Sequence, residues 1–279
     1  MPMQDKTHLT AHKNFPSVLF LPLILLLAGC SFGEFQTNEE EEAMPVYVFA
    51  GQSNMLGKRS RADELPEDLR SGNSRALFFH ERSHTWIPLT PGTTQPKGFG
   101  PEIAFAESIA DLHEGEFGII KVSRGGTNLY RQWNPDNPDS LFQRLARLVA
   151  TARQTRPIKV IGMIWIQGGA DARKQHMANA YADNLRLLVE RSREAFGNPD
   201  MHFVSSRIPP KNNRRKPHWP TVRAAQENLQ ITNFSWANSD DISTGPDGVH
   251  FDTLGMVKLG ERLAQIMRDN VALSAPAPN

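Results

Sequence analysis

The sequence predicts an α/β protein in which a mainly parallel sheet of five strands is covered by helices on both faces. Five short apolar runs, rich in β-branched and aromatic residues, alternate with longer segments whose apolar residues recur at helical spacing. Strands that are apolar throughout are typical of parallel sheets buried between two helical layers. Since the pattern contains neither an internal repeat nor a second core, we expect a single domain over residues 44–273.

Each core strand is predicted from an apolar run that ends in a glycine-rich or polar turn. These strands are expected at residues 45–50, 117–122, 159–167, 201–205 and 234–237. The segment 77–89 has two apolar halves around the polar tip 81–84. We interpret it as a hairpin inserted outside the alternation of strands and helices.

Five helices are predicted from apolar residues that recur every three to four positions. They cover residues 101–112, 140–153, 171–196, 221–232 and 253–271. Pro101 and Glu102 suit the first turn of the first helix, and Asp252 or Thr253 would cap the last. In such folds, sites form where loops leave the carboxyl ends of the strands, so motifs in those loops are the first candidates for function.

The first thirty residues have the pattern of a bacterial lipoprotein signal. The apolar run 15–28 is shorter than the roughly 20 residues that a membrane-spanning helix needs. It ends in the tetrapeptide 27–30 (LAGC), which resembles a lipobox. We therefore expect a signal peptide over 1–29, lipidation of Cys30, and an exported protein held on a bacterial membrane, the outer one if the cell is Gram-negative. A plain secretory signal is the alternative.

The flanks and the overall charge narrow the class of partner. Residues 30–43 lack apolar periodicity and contain four consecutive glutamates, which predicts a solvated tether, and 274–279 is predicted to be a flexible C-terminal tail. The basic segment 211–216 (KNNRRK) could bind an acidic polysaccharide, but a run of charges is more often a solvated surface, and we interpret it as one. The formal net charge of +1 provides no whole-molecule attraction to nucleic acid, and a single cysteine excludes a disulfide within the chain.

The first chemical motif is Gly51-Gln52-Ser53-Asn54, directly after the first strand. A serine at a strand-to-helix turn exposes its hydroxyl and lies near free backbone N–H groups, which favours nucleophilic attack and stabilisation of an oxyanion. Taken alone, such a turn is more often structural.

The second motif is Asp247-Gly248-Val249-His250, just before the last helix. A separation of three residues within a loop lets the carboxylate bind one imidazole nitrogen while the other faces outward. That arrangement is the orienting half of a catalytic triad.

Two further motifs lie in loops after strands. Gly125-Gly126 follows the second strand, and glycine lets a backbone N–H approach a substrate closely. Gln167 ends the third strand, where its side-chain amide could donate a further hydrogen bond. A simple tight turn is the alternative for the glycine pair.

The four motifs together resemble one family. Gly-Gln-Ser-Asn-Met, Gly-Gly-Thr-x-Leu, Trp-x-Gln-Gly and Asp-Gly-x-His-Phe occur here in the order found in the sialate O-acetylesterase and acetylxylan esterase group of SGNH hydrolases. The resemblance extends over residues 45–270. It implies a flavodoxin-like, three-layer α/β/α fold and removal of acetyl groups from the hydroxyls of an O-acetylated carbohydrate, without a metal or a cofactor.

Position within these motifs implies the roles of individual residues. Ser53 would be the nucleophile, His250 the general base and Asp247 its partner. The implied oxyanion hole consists of the Ser53 backbone, a glycine of the pair Gly125 and Gly126, and the Gln167 amide.

Candidate substrate contacts lie beside the same motifs. Gln52 and Asn54 flank the serine, and Tyr130 and Trp133 follow the glycine pair. The two aromatic residues could stack against a sugar ring or cover the edge of the core.

The chain departs from the family pattern at one position. The third block of the family usually reads Gln-Gly-Glu-x-Asp, whereas Gly169 stands here in place of the glutamate and Asp171 is kept. Gly169 is the main support for one alternative to a carbohydrate acetylesterase, and a second alternative is independent of it. One is a surface carbohydrate-binding protein with weak or lost esterase activity, and the other is an SGNH lipase or thioesterase acting on longer acyl chains.

Overall fold

The computed structural model describes residues 42–210 and 216–273, which are organised around one seven-stranded sheet. The strands are β1 (Met44–Gly51), β2 (Ala76–His80), β3 (Thr85–Pro88), β4 (Phe117–Ser123), β5 (Ile158–Ile166), β6 (His202–Ser206) and β7 (Phe234–Ala237). Their order across the sheet is β3-β2-β4-β1-β5-β6-β7, and every neighbouring pair is parallel except β2 with β3.

The predicted α/β class is confirmed, and so is the parallel core of the sheet. If the hairpin is set aside, the remaining strands lie in the order β4-β1-β5-β6-β7. Numbered along the chain these five strands read 2-1-3-4-5, the flavodoxin-like order. The chain therefore turns outward in both directions from β1, and the switch point lies at the carboxyl end of that strand.

The predicted count of five strands was wrong because the hairpin belongs to the sheet. Strand β2 pairs in parallel with β4, from Ala76 opposite Phe117 to Phe78 opposite Ile119. Phe78 and Phe79 are buried, so β2 shares both apolar layers with the core strands. A hairpin has the same local pattern whether it stands alone or extends a sheet, so the outcome depends on its pairing with a distant strand.

Helices cover both faces of the sheet. They are α1 (Ser53–Leu56), α2 (Glu102–Ile109), α3 (Leu141–Thr155), α4 (Gln175–Asn179), α5 (Tyr181–Phe196), α6 (Trp219–Asn228) and α7 (Thr253–Leu273). Val46, Val48 and Ala50 of β1 face a core shared with α3, α5 and α6, whereas Tyr47 and Phe49 face a second core with α2 and α7. This alternation along one strand produces the three-layer arrangement.

Helix boundaries differ from the predicted ones at one important place. The predicted helix 171–196 is interrupted. It begins as a 3₁₀ turn at Asp171–Arg173, Lys174 then has an extended backbone, and α4 and α5 follow. Asp171 directs its carboxylate inward rather than continuing a helix. Of the two predicted caps of the last helix, Asp252 is the correct one, because its side chain accepts a hydrogen bond from the Gly255 N–H at 2.8 Å.

Several predicted features fall outside the described residues. They are the signal peptide 1–29, the lipidated Cys30, the tether up to residue 41, and the tail 274–279. Within the described ranges, none of the helices combines the length and the apolarity that a membrane-spanning segment requires.

Candidate active site

The site begins where β1 ends, at the switch point of the sheet. Gly51 has φ 155°, and a Cβ built there would lie 2.2 Å from the carbonyl oxygen of Ile166 on β5. Only glycine allows the two strands to approach this closely before the chain turns into α1. The turn places Ser53 at the start of α1, between the ends of β4 and β5.

Three side chains predicted from separate motifs form one hydrogen-bonded row. Ser53 Oγ lies 2.9 Å from His250 Nε2, and His250 Nδ1 lies 2.9 Å from Asp247 Oδ2. With the ring proton on Nδ1, the imidazole donates to the carboxylate and Nε2 accepts from the serine hydroxyl. The structure thus brings together residues that are 197 positions apart in the chain.

The loop 245–250 holds the acid and the base in this geometry. Asp247 Oδ1 accepts hydrogen bonds from the backbone N–H groups of Val249 and His250, both at 2.9 Å. Gly248 has φ 61°, a conformation that favours glycine, and the N–H of Gly245 donates to the carbonyl of His250 at 2.8 Å. The Asp-x-x-His loop therefore folds back so that Asp247 binds both the backbone and the ring of His250.

The surroundings keep Asp247 ionised. Partial burial raises the pKa of this carboxyl, but hydrogen bonds from the backbone and ring of His250 and from the Val249 N–H outweigh it, so the pKa lies below its usual range. Arg59 adds a cation on the outer side, with its Nε 3.3 Å from Asp247 Oδ2. A carboxylate that is anionic at neutral pH can stabilise a protonated His250.

Asn54 was predicted as a substrate contact, and the structure gives it another role. Its side chain is buried, its Nδ2 donates to the carbonyl of Val249 at 2.9 Å, and its Oδ1 accepts from the N–H of Phe251 at 3.2 Å. Both halves of the amide are used, so Asn54 clamps the His250 loop onto the helix that carries Ser53. It is a positioning residue, because both polar atoms of the amide bind this loop and Asn54 is not among the residues that line the cleft.

The glycine pair lies against the serine. A Cβ built on Gly125 would lie 3.9 Å from Ser53 Cβ, and Gly126 has φ 75°. Both glycines line the cleft, and no described residue accepts a hydrogen bond from the N–H of Gly125. These backbone groups can therefore face a ligand beside Ser53.

Trp133, the other aromatic candidate in this region, is part of the core. It has no exposed surface, packs edge-to-face on Trp165 with ring centroids 5.1 Å apart, and donates from Nε1 to Thr127 Oγ1 at 2.9 Å. Of the two interpretations, the substrate contact was wrong and the place in the core is correct, because the indole fits an apolar layer and satisfies its one donor there.

Gln167 was predicted to donate to the oxyanion, and the structure contradicts this. Its Nε2 donates to the Thr127 carbonyl at 2.8 Å and to Asp171 Oδ2 at 2.6 Å, which uses both amide hydrogens. Asp171 is fully buried and also accepts from the N–H groups of Leu129 and Tyr130, at 3.0 Å each. Gln167 and Asp171 therefore support the glycine loop from beneath.

The environment of Asp171 is opposite to that of Asp247. Burial raises the pKa of the Asp171 carboxyl, although hydrogen bonds from Gln167, Leu129 and Tyr130 counteract it. Asp171 was not predicted as a functional residue, although its agreement with the last position of the family's Gln-Gly-Glu-x-Asp block could have indicated one.

A cleft of about 460 Å³ opens in front of the serine. It is lined by Gln52, Ser53, Leu56, Lys58, Gly125, Gly126, Gly169, Ala170, Arg173, Lys216 and His250. Gln52 Oε1 is buried and has no hydrogen-bond partner among the described residues, so the predicted contact at Gln52 lies in a suitable place. Tyr130 is 42% exposed, packs on His176 and is not among the lining residues.

Three cations of the cleft were missed by sequence analysis. Lys58, Arg173 and Lys216 come from three separate segments, and no local motif joins them. Lys216 ends the basic segment that was interpreted as a solvated surface, and residues 211–215 lie outside the description. The Lys216 ammonium instead lies 4.6 Å from the centre of the Trp219 ring, at the cleft.

The sequence also matches a known family over most of its length. The model of the carbohydrate esterase family described as sialic acid-specific acetylesterase matches residues 43–269. The chain belongs to this family. The resemblance inferred from the four motifs is thereby confirmed, and the protein is an esterase by descent. No curated protein matches the sequence.

Several solved structures share the fold of this chain. A protein from Arabidopsis thaliana superposes with a TM-score of 0.71 at 22% identity, over 82% of this chain and 99% of its own. NanS superposes with a TM-score of 0.65 at 16% identity, over 83% of this chain and 98% of its own. A carbohydrate acetylesterase from Xanthomonas citri superposes with a TM-score of 0.62 at 19% identity, over 83% of this chain and 57% of its own. At these identities the likeness shows the fold alone.

The position at which this esterase departs from the family pattern lies in the cleft wall. A Cβ built on Gly169 would lie 3.1 Å from the Trp219 ring, 3.2 Å from Gln52 Nε2 and 3.2 Å from Lys216 Nζ. Gln167 is held by Thr127 and Asp171 and needs no carboxylate at residue 169. The missing glutamate therefore leaves the loop supported and changes the charge of the cleft.

Proposed function

We propose that this chain hydrolyses acetyl esters on carbohydrate hydroxyls, with Ser53 as nucleophile, His250 as general base and Asp247 as its partner. The observation that carries the proposal is the hydrogen-bonded row from Ser53 Oγ to Asp247 Oδ2 at the mouth of a cleft. Membership of the acetylesterase family supports the same chemistry.

The acylation step follows from the geometry of the row. His250 Nε2 takes the proton of the Ser53 hydroxyl as Oγ attacks the carbonyl carbon of the acetyl group. The imidazolium that forms is stabilised by the anionic Asp247, whose low pKa keeps its proton off. The carbonyl π bond opens, and the resulting negative charge resides on the former carbonyl oxygen.

Backbone N–H groups would stabilise this oxyanion. We assign the N–H of Ser53 and that of Gly125, with Gly126 adjacent, because they border the cleft beside Oγ. Gln52 lines the same cleft and has an unpartnered Oε1, so its amide is proposed to contact the substrate.

Release of products returns the site to its starting state. The imidazolium gives its proton to the departing sugar oxygen as the ester C–O bond breaks, leaving an acetyl group on Ser53. Water then attacks this acyl-enzyme, His250 accepts its proton and passes it to Ser53 Oγ, and acetic acid leaves as acetate.

The lining of the cleft combines apolar surface with side chains that can form hydrogen bonds. Leu56 and Ala170 are its apolar members, and the remaining side chains are polar or charged. A fatty acyl chain needs a continuous apolar surface, whereas a sugar with several hydroxyls needs hydrogen-bonding partners. The polar and charged side chains, together with membership of the acetylesterase family, support a carbohydrate acetylesterase over the lipase or thioesterase alternative.

We also propose that the protein is exported and held on a bacterial membrane through Cys30. The support is the sequence alone: the apolar run 15–28, the lipobox-like tetrapeptide and the acidic tether that follows. Metabolic labelling with a clickable fatty acid, comparing the full chain with Cys30→Ala, tests it. Equal labelling of both would reject lipidation.

The esterase proposal is tested by comparing the full chain with Ser53→Ala. Release of acetate from an O-acetylated sugar and from a chromogenic acetate ester should fall by at least about 10³-fold, because the nucleophile is removed. Ser71→Ala, at an exposed loop position, is the matched control and should retain activity. Binding of the acetylated sugar without turnover by the unaltered chain would favour the carbohydrate-binding alternative.

A further inference from the structure

A second pocket, called here the side pocket, lies next to the active-site cleft. Its volume is about 280 Å³, close to the roughly 300 Å³ at which small-molecule sites begin. Its walls come from the hairpin β2–β3, the end of β4 and α3, and include Leu56, Phe78, Glu81, Arg82, Ser123 and Arg144. Leu56 lines the cleft as well, so one elongated ligand can occupy both spaces.

The end of β4 joins the side pocket to the catalytic groups. Ser123 is paired in the sheet with Gly51, which precedes Ser53 by two residues. Gly125, two residues after Ser123, borders the cleft beside Ser53. A ligand whose acetyl group lies at Ser53 therefore needs only to cross Leu56 to place a neighbouring unit in the side pocket.

Most charges of the side pocket are neutralised within the fold. Lys121 lines the pocket, and its Nζ lies 2.7 Å from both carboxylate oxygens of the buried Glu102. Arg144 Nε donates to Glu81 Oε1 at 2.7 Å, and this interaction lowers the pKa of the Glu81 carboxyl. Because these ions already have their counterions, the pocket does not require a charged ligand.

Two polar groups of the side pocket nevertheless lack a partner. Arg82 forms no ion pair with a carboxylate of the described residues, and Ser123 Oγ has no hydrogen-bond partner among them. Leu56, Phe78 and Val122 add an apolar surface. A sugar ring presents the same combination, since its hydroxyls donate and accept hydrogen bonds and its C–H groups form an apolar face. The side pocket therefore fits an uncharged sugar unit.

We propose that the side pocket binds a neutral sugar unit linked to the acetylated one, so that the chain prefers oligosaccharides or longer glycans to single sugars. The inference rests on the proposed function, since it extends the substrate of the same site. The glycosidic bond crosses Leu56, and the neighbouring unit accepts from Arg82, bonds to Ser123 and packs on Phe78. Because this unit takes no part in the reaction, its binding mainly lowers KM.

The test compares acetylated sugars that differ in length. Acetate release is measured on two pairs: the methyl glycosides of O-acetylated xylose and xylotriose, and those of O-acetylated sialic acid and sialyllactose. In both longer members the neighbouring unit is uncharged. In at least one pair kcat/KM should favour the longer member about tenfold or more, because hydrogen bonds to a charged group are gained. No preference in either pair, or no release from any glycan, would overturn the proposal.

The double variant Arg82→Ala/Ser123→Ala removes the two unpartnered groups. Neither side chain is held by a hydrogen bond within the described fold, so the preference for the longer member should fall at least tenfold while the rate on the shorter one changes less. Arg82→Ala alone, at an exposed hairpin position, should give part of this loss. Arg147→Ala/Ser71→Ala removes the same residue types at exposed positions outside the side pocket and should keep the preference. A preference that both Arg82 variants leave intact, or equal losses on both members, would contradict the assignment.

Failure of the esterase proposal gives a different result. Hydrolysis of 4-nitrophenyl acetate, which carries no sugar, reports on the triad without the side pocket. If the unaltered chain does not hydrolyse this ester, calorimetry with unacetylated xylotriose and sialyllactose tests the side pocket directly. Binding of either sugar that the double variant weakens at least tenfold would uphold the inference without catalysis. Binding that is absent, or unaffected by the double variant, would reject it.

Discussion

The two walls of the cleft differ in how their polar groups are satisfied. On the catalytic wall, made of α1 and the loop 245–250, the polar side chains of Ser53, Asn54, Asp247 and His250 all have hydrogen-bond partners within the fold. On the cationic wall, made of Lys58, Gly169, Arg173 and Lys216, the charged groups have no carboxylate partner among the described residues. One wall is complete without a ligand, and the other is not.

This difference separates chemistry from recognition. A proton relay must have its groups aligned before the substrate arrives, since each misaligned group raises the barrier. A recognition surface gains affinity when the ligand supplies the missing partner, because an unpaired, partly desolvated charge is unfavourable in the free protein. The supporting pair Gln167 and Asp171 belongs to neither wall and holds the glycine loop between them.

The largest expected effect would break the catalytic wall at its carboxylate. Asp247→Asn should lower kcat by about 10³- to 10⁴-fold, because an amide cannot stabilise the imidazolium and favours the wrong tautomer of His250. The rate of acetate release at saturating substrate measures this loss of kcat, and Asp269→Asn on the exposed side of α7 is the control. A loss below tenfold would mean that Asp247 only shapes the loop.

A smaller loss is expected when the clamp between the two halves of that wall is removed. Asn54→Ala frees the loop of His250 from α1, and a displacement of about 1 Å of the base from Ser53 costs about 10²-fold in kcat. KM should change little, since the cleft lining is kept. Asn228→Ala, an exposed helix position, is the matched control, and a change in KM alone would contradict the assigned role.

Loss of the hydrogen bond between Gln167 and Asp171, which support the glycine loop, is expected to lower the stability of the fold. Asp171→Asn places an amide donor against the Gln167 amide and should lower the free energy of unfolding by about 1–3 kcal/mol. Denaturant unfolding measures this, and the exposed Asp139→Asn should remain within about 0.5 kcal/mol of the parent. An unchanged midpoint would show that the buried carboxylate is dispensable.

Local patterns predicted much of the fold and part of the site. The alternation of apolar strands and amphipathic segments was enough for the α/β class, because burial on two faces imposes a composition on each strand. The hairpin was misplaced outside the sheet, because the strand with which β2 pairs lies 41 residues further along the chain and leaves no local mark. The interrupted helix after Asp171 was missed for a similar reason: a helical period does not record where a side chain turns inward.

The sequence by itself determined which residues could carry the chemistry. Ser53, Asp247 and His250 stand in short motifs whose spacing limits what their backbones can do, and those limits hold before any tertiary contact forms. Tertiary structure alone decided what the polar neighbours do: Asn54 clamps a loop 195 residues away, and Gln167 turns to a buried carboxylate. A side-chain amide or ammonium bonds to whatever the fold brings beside it, so its role depends on distant residues, as the position of Lys216 beside Gly169 illustrates.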